Sequence, residues 1–192
     1  MKLTHNPKYA NFAPRFFASM IDSLLLTIPT IAGLWYVVQA TTIEDLVTRL
    51  LLAVVVIMLP MSIFTVLYHV LGISLFGMTI GKAILGLEVT DEKGNKLTKG
   101  KALFREVIAK VVNAAVLGFG YFAILFDAKH QGWHDMLTGS FVHKRENRLV
   151  IGVIAALVLL VVVGAGYYAI FNLIYTQQYG LWVKDIQMMV GY

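Results

Sequence analysis

Directly after Arg15 the chain runs from Phe16 to Val38 with a single charged residue, Asp22. A stretch of that length matches a helix crossing the hydrocarbon core of a bilayer, which takes about 20 residues. An ionised carboxylate at that depth costs about 2.5–3.5 kcal/mol on insertion scales. It must be paired, sit in a wet cavity or take up a proton. Two more apolar runs, about Arg49–Leu71 and about Leu149–Tyr175, repeat the pattern. Composition agrees, with 58% apolar and 14% charged residues against about 25% charged in soluble domains. The fold class is therefore an all-α integral membrane protein, a small multi-pass helical bundle.

The absence of cysteine excludes disulfides, thiolate metal sites and cysteine nucleophiles. In so apolar a chain, the net charge of +5 reads as basic loops beside an anionic inner leaflet, not as a nucleic-acid surface. Val38-Gln39-Ala40 resembles a signal-peptide cleavage site, but the run before it is too long and carries Asp22. An uncleaved anchor is expected.

Trp35 and Tyr36 mark the far interface of the first span, and a polar loop, Gln39–Thr48, carries Glu44 and Asp45. Pro29 and Pro60 fall near the middle of the first two spans and free the carbonyls of Leu25 and Val56. Gly72–Glu88 is apolar but broken by glycine, and reads as an interfacial segment. Leu85–Val89 partly alternates and is followed by the charged turn Asp91–Lys96, which suggests a short cytoplasmic β-hairpin. Thr98 is placed to cap the next helix, on which Glu106 and Lys110 are spaced to pair.

Val111–Phe126 is too short for an ordinary span and is interrupted by Gly118-Phe119-Gly120. If it crosses, the four basic residues Lys129, Lys144, Arg145 and Arg148 fall outside; if it dips and returns, only Arg49 and Lys184 do. The positive-inside rule favours the re-entrant path over a fourth span. The last span carries Gly164, Ala165, Gly166 and Ala169, a small-residue stripe suited to helix packing. Its tail, Thr176–Tyr192, is mixed in polarity and is expected on the outer surface.

Three patterns stand in order: Ala13-Pro14-Arg15 leading to Ile21-Asp22; Gly77-Met78-Thr79-Ile80-Gly81-Lys82; and Phe126-Asp127 leading to Gly132-Trp133-His134-Asp135 and Gly139-Ser140. Together they resemble the RDD family, named for one arginine and two aspartates, which by position are Arg15, Asp22 and Asp135. Met78 and Ile80 stand where relatives often carry Gln and Pro, while the Gly-Thr-Gly-Lys frame is kept. The resemblance implies a multi-pass bacterial membrane protein and, from some relatives, cation/proton antiport. It divides the chain into a membrane domain over 1–145 and an added helix with its tail over 146–192.

Arg15 and Asp22 lie nearly two turns apart on one helix face, about 10 Å along the axis. Helix side chains lean toward the N-terminus, so Arg15 is expected to reach outward to the headgroups. Asp22 then needs a partner from elsewhere: Lys82, Arg105, His69 or the His134/Asp135 pair. With such a partner it fixes helix register; without one, it suits H⁺/Na⁺ exchange. A lone carboxylate makes a thin cation site, since hard cations such as Ca²⁺ take about six to eight oxygens.

Gly77, Thr79, Gly81 and Lys82 lack the spacing of a nucleotide-binding loop. They read as a tight turn at the bilayer surface, with Lys82 meeting a lipid phosphate or Asp22. His130 and His134 share an i,i+4 spacing, but Gly132 between them argues for a loop, and no metal or cofactor is expected. No serine, histidine and acid set has a context for nucleophilic catalysis. The expected function is a non-enzymatic accessory or scaffold for another membrane protein, or a homo-oligomer. Its place is the cell (inner) membrane, with the N-terminus cytoplasmic and no nucleic-acid partner. The alternative is an antiporter exchanging Na⁺ and H⁺ at Asp22.

Overall fold

The computed structural model describes residues 9–108, 111–112 and 119–191. Three of its helices are long and apolar enough to cross a membrane: Phe12–Val38, Ile43–Phe76 and Leu149–Thr176. The chain is a helical membrane protein with a small two-stranded sheet, as the apolar runs require.

Helix α1, Phe12–Val38, begins four residues before the apolar run. Pro14 falls in its first turn, where a missing N–H costs nothing. Helix α2, Ile43–Phe76, also starts earlier than expected. Thr42 caps it by accepting the Asp45 N–H at 3.1 Å, and Glu44 and Asp45 sit in its first turn, where their charge favours the dipole. These acids were expected in a polar loop; they are instead a helix start. Just before Pro60, α2 widens into a π-helical turn, Val54–Met58, closed by the Leu59 N–H on the Val54 carbonyl.

The segment expected at the interface after Leu71 extends α2 by another π-helical turn, Gly72–Phe76, and ends at Gly77 in the left-handed region. A short helix α3, Ile80–Ile84, leads to strand β1, Leu87–Asp91. The expected hairpin does not form. The Asp91 side chain accepts the N–H groups of Lys93 and Asn95, and the chain then enters helix α4, Lys99–Leu103, capped by Thr98. The partner of β1 is the distant β2, Ser140–Lys144, antiparallel, with Val89 opposite Val142. The turn chemistry was read correctly, but the residues after it do not alternate, so the return strand comes from elsewhere.

Helix α4 continues through the π-helical turn Phe104–Ile108, which carries Arg105 and Glu106. Lys110, expected to pair with Glu106, lies outside the described residues, as does the chain over 113–118. Whether 111–126 dips or crosses therefore rests on undescribed backbone; its end is helix α5, Phe119–Phe126. His134 and Asp135, expected in a loop, lie on helix α6, Trp133–Thr138, with Gly132 as its N-cap. Helix α7, Leu149–Leu173, passes through the turn Ile174–Gln178 into α8, Tyr179–Val190. The tail is thus helical.

By packing, the described residues form two compact units. One is drawn from Met1–Ser23 and Thr65–Ala156, the other from Leu24–Phe64 and Leu157–Tyr192. In the first, both strands are mostly buried, and Ala10 extends the sheet by donating its N–H to the Val142 carbonyl at 2.8 Å. A Cβ on Gly152 would lie 2.4 Å from Leu85 Cγ, so α7 packs there at backbone distance. In the second unit, α8 is fastened by the Trp182 indole N–H on the Ala40 carbonyl at 2.9 Å and by Asp185 accepting the Ile43 N–H at 2.7 Å. Of the small-residue stripe, Gly166 faces Ile31, 3.1 Å from where its Cβ would be, whereas Gly164 has open space. Val55, Val56, Ile63, Val150 and Val161 are all more than half exposed, the outward apolar surface that lipid covers in place of water.

Candidate functional site: two buried carboxylates in one unit

Asp22 is 1% exposed. One of its oxygens accepts the Tyr68 hydroxyl at 2.6 Å and the Gly81 N–H at 2.7 Å; the other accepts the Thr79 hydroxyl at 2.5 Å. The Tyr68 oxygen in turn accepts the Ile80 N–H at 2.9 Å, and Lys82 Nζ approaches the Thr79 hydroxyl at 3.4 Å. The middle motif therefore forms the turn that wraps the first-span aspartate. Gly81 is required for this. A Cβ there would sit 2.1 Å from the Ala18 carbonyl oxygen and 3.0 Å from Asp22 Cγ.

Asp135 is fully buried. Arg15 Nη1 donates to one of its oxygens at 2.5 Å, and Arg105 donates to the other through Nη2 at 2.7 Å and Nε at 3.1 Å. Ser140 Oγ at 3.2 Å and the Gly132 N–H at 3.2 Å complete the set. Arg105 also pairs with Glu106. The two guanidinium and two carboxylate charges balance within the cluster. Arg15 leans toward the N-terminus as helix geometry demands, and there Asp135 and the Ala10 carbonyl (2.9 Å) take its Nη1 and Nε donors.

The six candidates thus divide. Asp22 is served by the turn containing Thr79, Gly81 and Lys82, while Arg15, Arg105, His134 and Asp135 gather around the second carboxylate. Gly77 works through its backbone: its left-handed φ of 75° turns the chain and its carbonyl accepts the Val89 N–H at 2.7 Å. Tyr68, Ser140 and Glu106 were missed as members of these clusters. Only the hydroxyl in an otherwise apolar helix end marked Tyr68 in the sequence.

Burial opposes ionisation of Asp135, but the charges of Arg105 and Arg15 outweigh it and hold the carboxyl well below the usual range. Burial likewise works against the Arg105 charge, and Asp135 and Glu106 more than restore it. His134, with Nε2 3.5 Å from Asp135, is pushed down by burial to about 4. It is neutral at pH 7. Among the described residues no group of three or more His, Cys, Asp or Glu could hold a metal ion.

Three spanning helices and two buried carboxylates, one ion-paired and one held by hydroxyls and a backbone N–H, define a small multi-pass membrane protein. The chain belongs to the RDD family, whose model matches residues 9–139, spanning Arg15, Asp22 and Asp135. It is 31% identical to the uncharacterized protein YxaI of Bacillus subtilis (strain 168) over 143 residues, 68% of this chain and 93% of that one. It is 28% identical to the uncharacterized membrane protein YteJ of the same strain over 144 residues, 73% of this chain and 82% of that one. No solved structure matches it.

Two outcomes follow from this geometry. Gly81→Ala should lower stability by about 2 kcal/mol or more, since backbone cannot yield to a new methyl as a side-chain tip can. The check is the melting temperature in detergent. His134 binds a proton more weakly folded than unfolded, so the unfolded chain takes up more protons between pH 6.5 and about 4. Stability should fall as pH drops through that window, by on the order of 3 kcal/mol. His134→Gln should flatten the profile there and leave the further loss below pH 4, where the Asp135 carboxyl of the unfolded chain takes up a proton that the folded one does not.

Proposed function

We propose that this chain is a non-enzymatic accessory or scaffold protein for another membrane protein, built rigidly around Asp22 and Asp135. The observation that carries the reading is the set of groups facing Asp22. They are an N–H and two hydroxyls, all donating to it. A cation site needs the opposite, several oxygens with lone pairs turned inward. The donors favour a fixed, charged carboxylate that ties the 77–82 turn to α1 over one that exchanges H⁺ for Na⁺.

The outer helix α8 suits the role of partner contact. It is pinned through Trp182 and Asp185, while Met188, Met189 and Val190 remain more than 60% exposed. The location is the cell (inner) membrane with a cytoplasmic N-terminus. The charge distribution supports this orientation. The unit drawn from Leu24–Phe64 and Leu157–Tyr192 carries only Arg49 and Lys184 as basic residues. The other unit carries the remaining lysines and arginines, including Lys129, Lys144, Arg145 and Arg148. Placing the segments that carry Lys129, Lys144, Arg145 and Arg148 on the cytoplasmic side obeys the positive-inside rule.

The test uses purified protein in sealed vesicles and the cysteine-free background of the native chain. Na⁺-driven proton flux should equal that of empty vesicles for both wild type and Asp22→Asn. In cells, single cysteines replacing Met188 or Met189 should crosslink to one discrete second membrane protein, or to a second copy. Cysteines at Lys93 and Arg145 should resist an impermeant reagent added outside, while one at Lys184 reacts. Flux present in wild type and lost in Asp22→Asn would overturn the scaffold reading.

A further inference from the structure

Four lysines, Lys93, Lys96, Lys99 and Lys101, fall within nine residues between strand β1 and the start of α4. All four are exposed. Lys96 Nζ donates to the Leu75 carbonyl at 2.6 Å, and none of the four has an ion-pair partner among the described residues. Two acids lie in the same stretch. The Asp91 side chain closes the turn by accepting the N–H groups of Lys93 and Asn95, and Glu92 is exposed. With both acids counted, the segment still carries four positive charges against two negative ones.

Apolar surface begins on both sides of this basic segment. On one side, the carbonyl that holds Lys96 belongs to the last turn of the spanning helix α2, where Leu75 is exposed and Phe76 is 64% exposed. On the other, the helix begun at Lys99 turns Ala102, Arg105 and Glu106 inward and leaves Leu103, Phe104 and Ile108 exposed. Val111 and Val112 continue that exposed apolar surface. Helix α4 also packs against the 72–76 turn, so the two apolar flanks adjoin. An exposed ammonium needs water or headgroups, and an exposed leucine or phenylalanine in a membrane protein needs hydrocarbon. The change from one to the other is complete between Lys101 and Leu103. The edge of the hydrocarbon core therefore passes there, and the flexible lysine stems carry their charges to headgroup level. This placing is the same whether 111–126 dips or crosses.

We propose that the segment from Lys93 to Lys101 is a docking surface for anionic phospholipids of the leaflet it meets. The unpaired lysines attract the negative headgroups, as basic clusters beside a spanning helix do, and the acyl chains lie against Phe76, Leu103 and Phe104. A lipid matches both halves of this surface. A soluble acidic partner would meet the lysines and leave the apolar half uncovered. The proposal does not depend on the scaffold reading, since it concerns the purified chain in a bilayer.

The experiment places a fluorophore on Asn95→Cys in the otherwise cysteine-free full-length chain, reconstituted in phosphatidylcholine vesicles. A small, equal fraction of spin-labelled phosphatidylglycerol or spin-labelled phosphatidylcholine is added, and quenching reports how much of each lipid gathers at the patch. Phosphatidylglycerol should be enriched there by roughly fivefold or more, the worth of one lysine at an anionic surface. The enrichment should fade as salt rises toward 1 M, where the Debye length is about 3 Å. Changing Lys93, Lys99 and Lys101 together to Gln, with Lys96 kept on its carbonyl, should bring the two lipids to equal quenching. The same three changed to Arg should retain the enrichment, which separates charge from any disturbance of the fold. Equal quenching by both lipids in the parent chain, enrichment that survives the glutamine changes, or enrichment lost equally with arginine would each overturn the proposal. So would a photocrosslinker at residue 95 that captures one discrete protein in cells in place of lipid, which would assign the patch to a protein partner.

Discussion

A carboxylate removed entirely from solvent has to be neutralised by something that cannot move away, and Asp135 meets that condition with two guanidinium groups from distant parts of the chain. Arg15 comes from the start of the first spanning helix and Arg105 from the π-helical turn at Phe104–Ile108. Neither attraction is free energy gained outright. Desolvation of two charges offsets most of the Coulomb term, and a well-packed apolar replacement can be as stable. What the arrangement supplies is intolerance: removing one partner strands another buried charge, at about 3–5 kcal/mol. The positions of α1, the 99–108 segment and α6 are thereby fixed relative to each other within their unit.

The second joint is of a different kind. Asp22 is held by hydroxyls and a backbone N–H, and its geometry depends on a glycine that lets the 77–82 turn touch α1 at backbone distance. Together the two joints fasten the first turns of α1 to segments before and after β1. They explain why the arginine and two aspartates occur with a Gly-Thr-Gly frame. Each acid requires its own donors, and the turn motif provides one set. The contacts to Asp22 use Thr79, the Gly81 N–H and Tyr68, not the side chains of Met78 and Ile80.

Much of this was legible in the sequence, and the failures have physical causes. The three spans follow from apolar runs whose length the bilayer dictates; two starts shifted where a cap or a proline in the first turn lengthened a helix, and α2 ran on past Leu71 through a π-helical turn. The need of Asp22 for a partner follows from the cost of a buried charge; the sequence offered Lys82, Arg105, His69 and the His134/Asp135 pair, whereas Tyr68, Thr79 and the Gly81 N–H hold it. Pairing between elements was not legible. No local pattern shows that β1 joins β2 across the Asp91 turn, or that Arg15 meets a residue 120 positions away. Helix geometry gives a side chain its direction but not the identity of what the tertiary fold places there. Tyr68 was overlooked because an aromatic at a helix end reads equally well as an interface anchor.

The interaction between Arg15 and Asp135 is the claim on which the remainder rests, and a double-mutant cycle measures it directly. Unfolding free energies in mild detergent would be compared for wild type, Arg15→Met, Asp135→Asn and the pair. Direct contact at 2.5 Å should give a coupling of about 1–3 kcal/mol, the double variant being less destabilised than the sum of the single ones. Additive losses, within about 0.5 kcal/mol, would contradict the account.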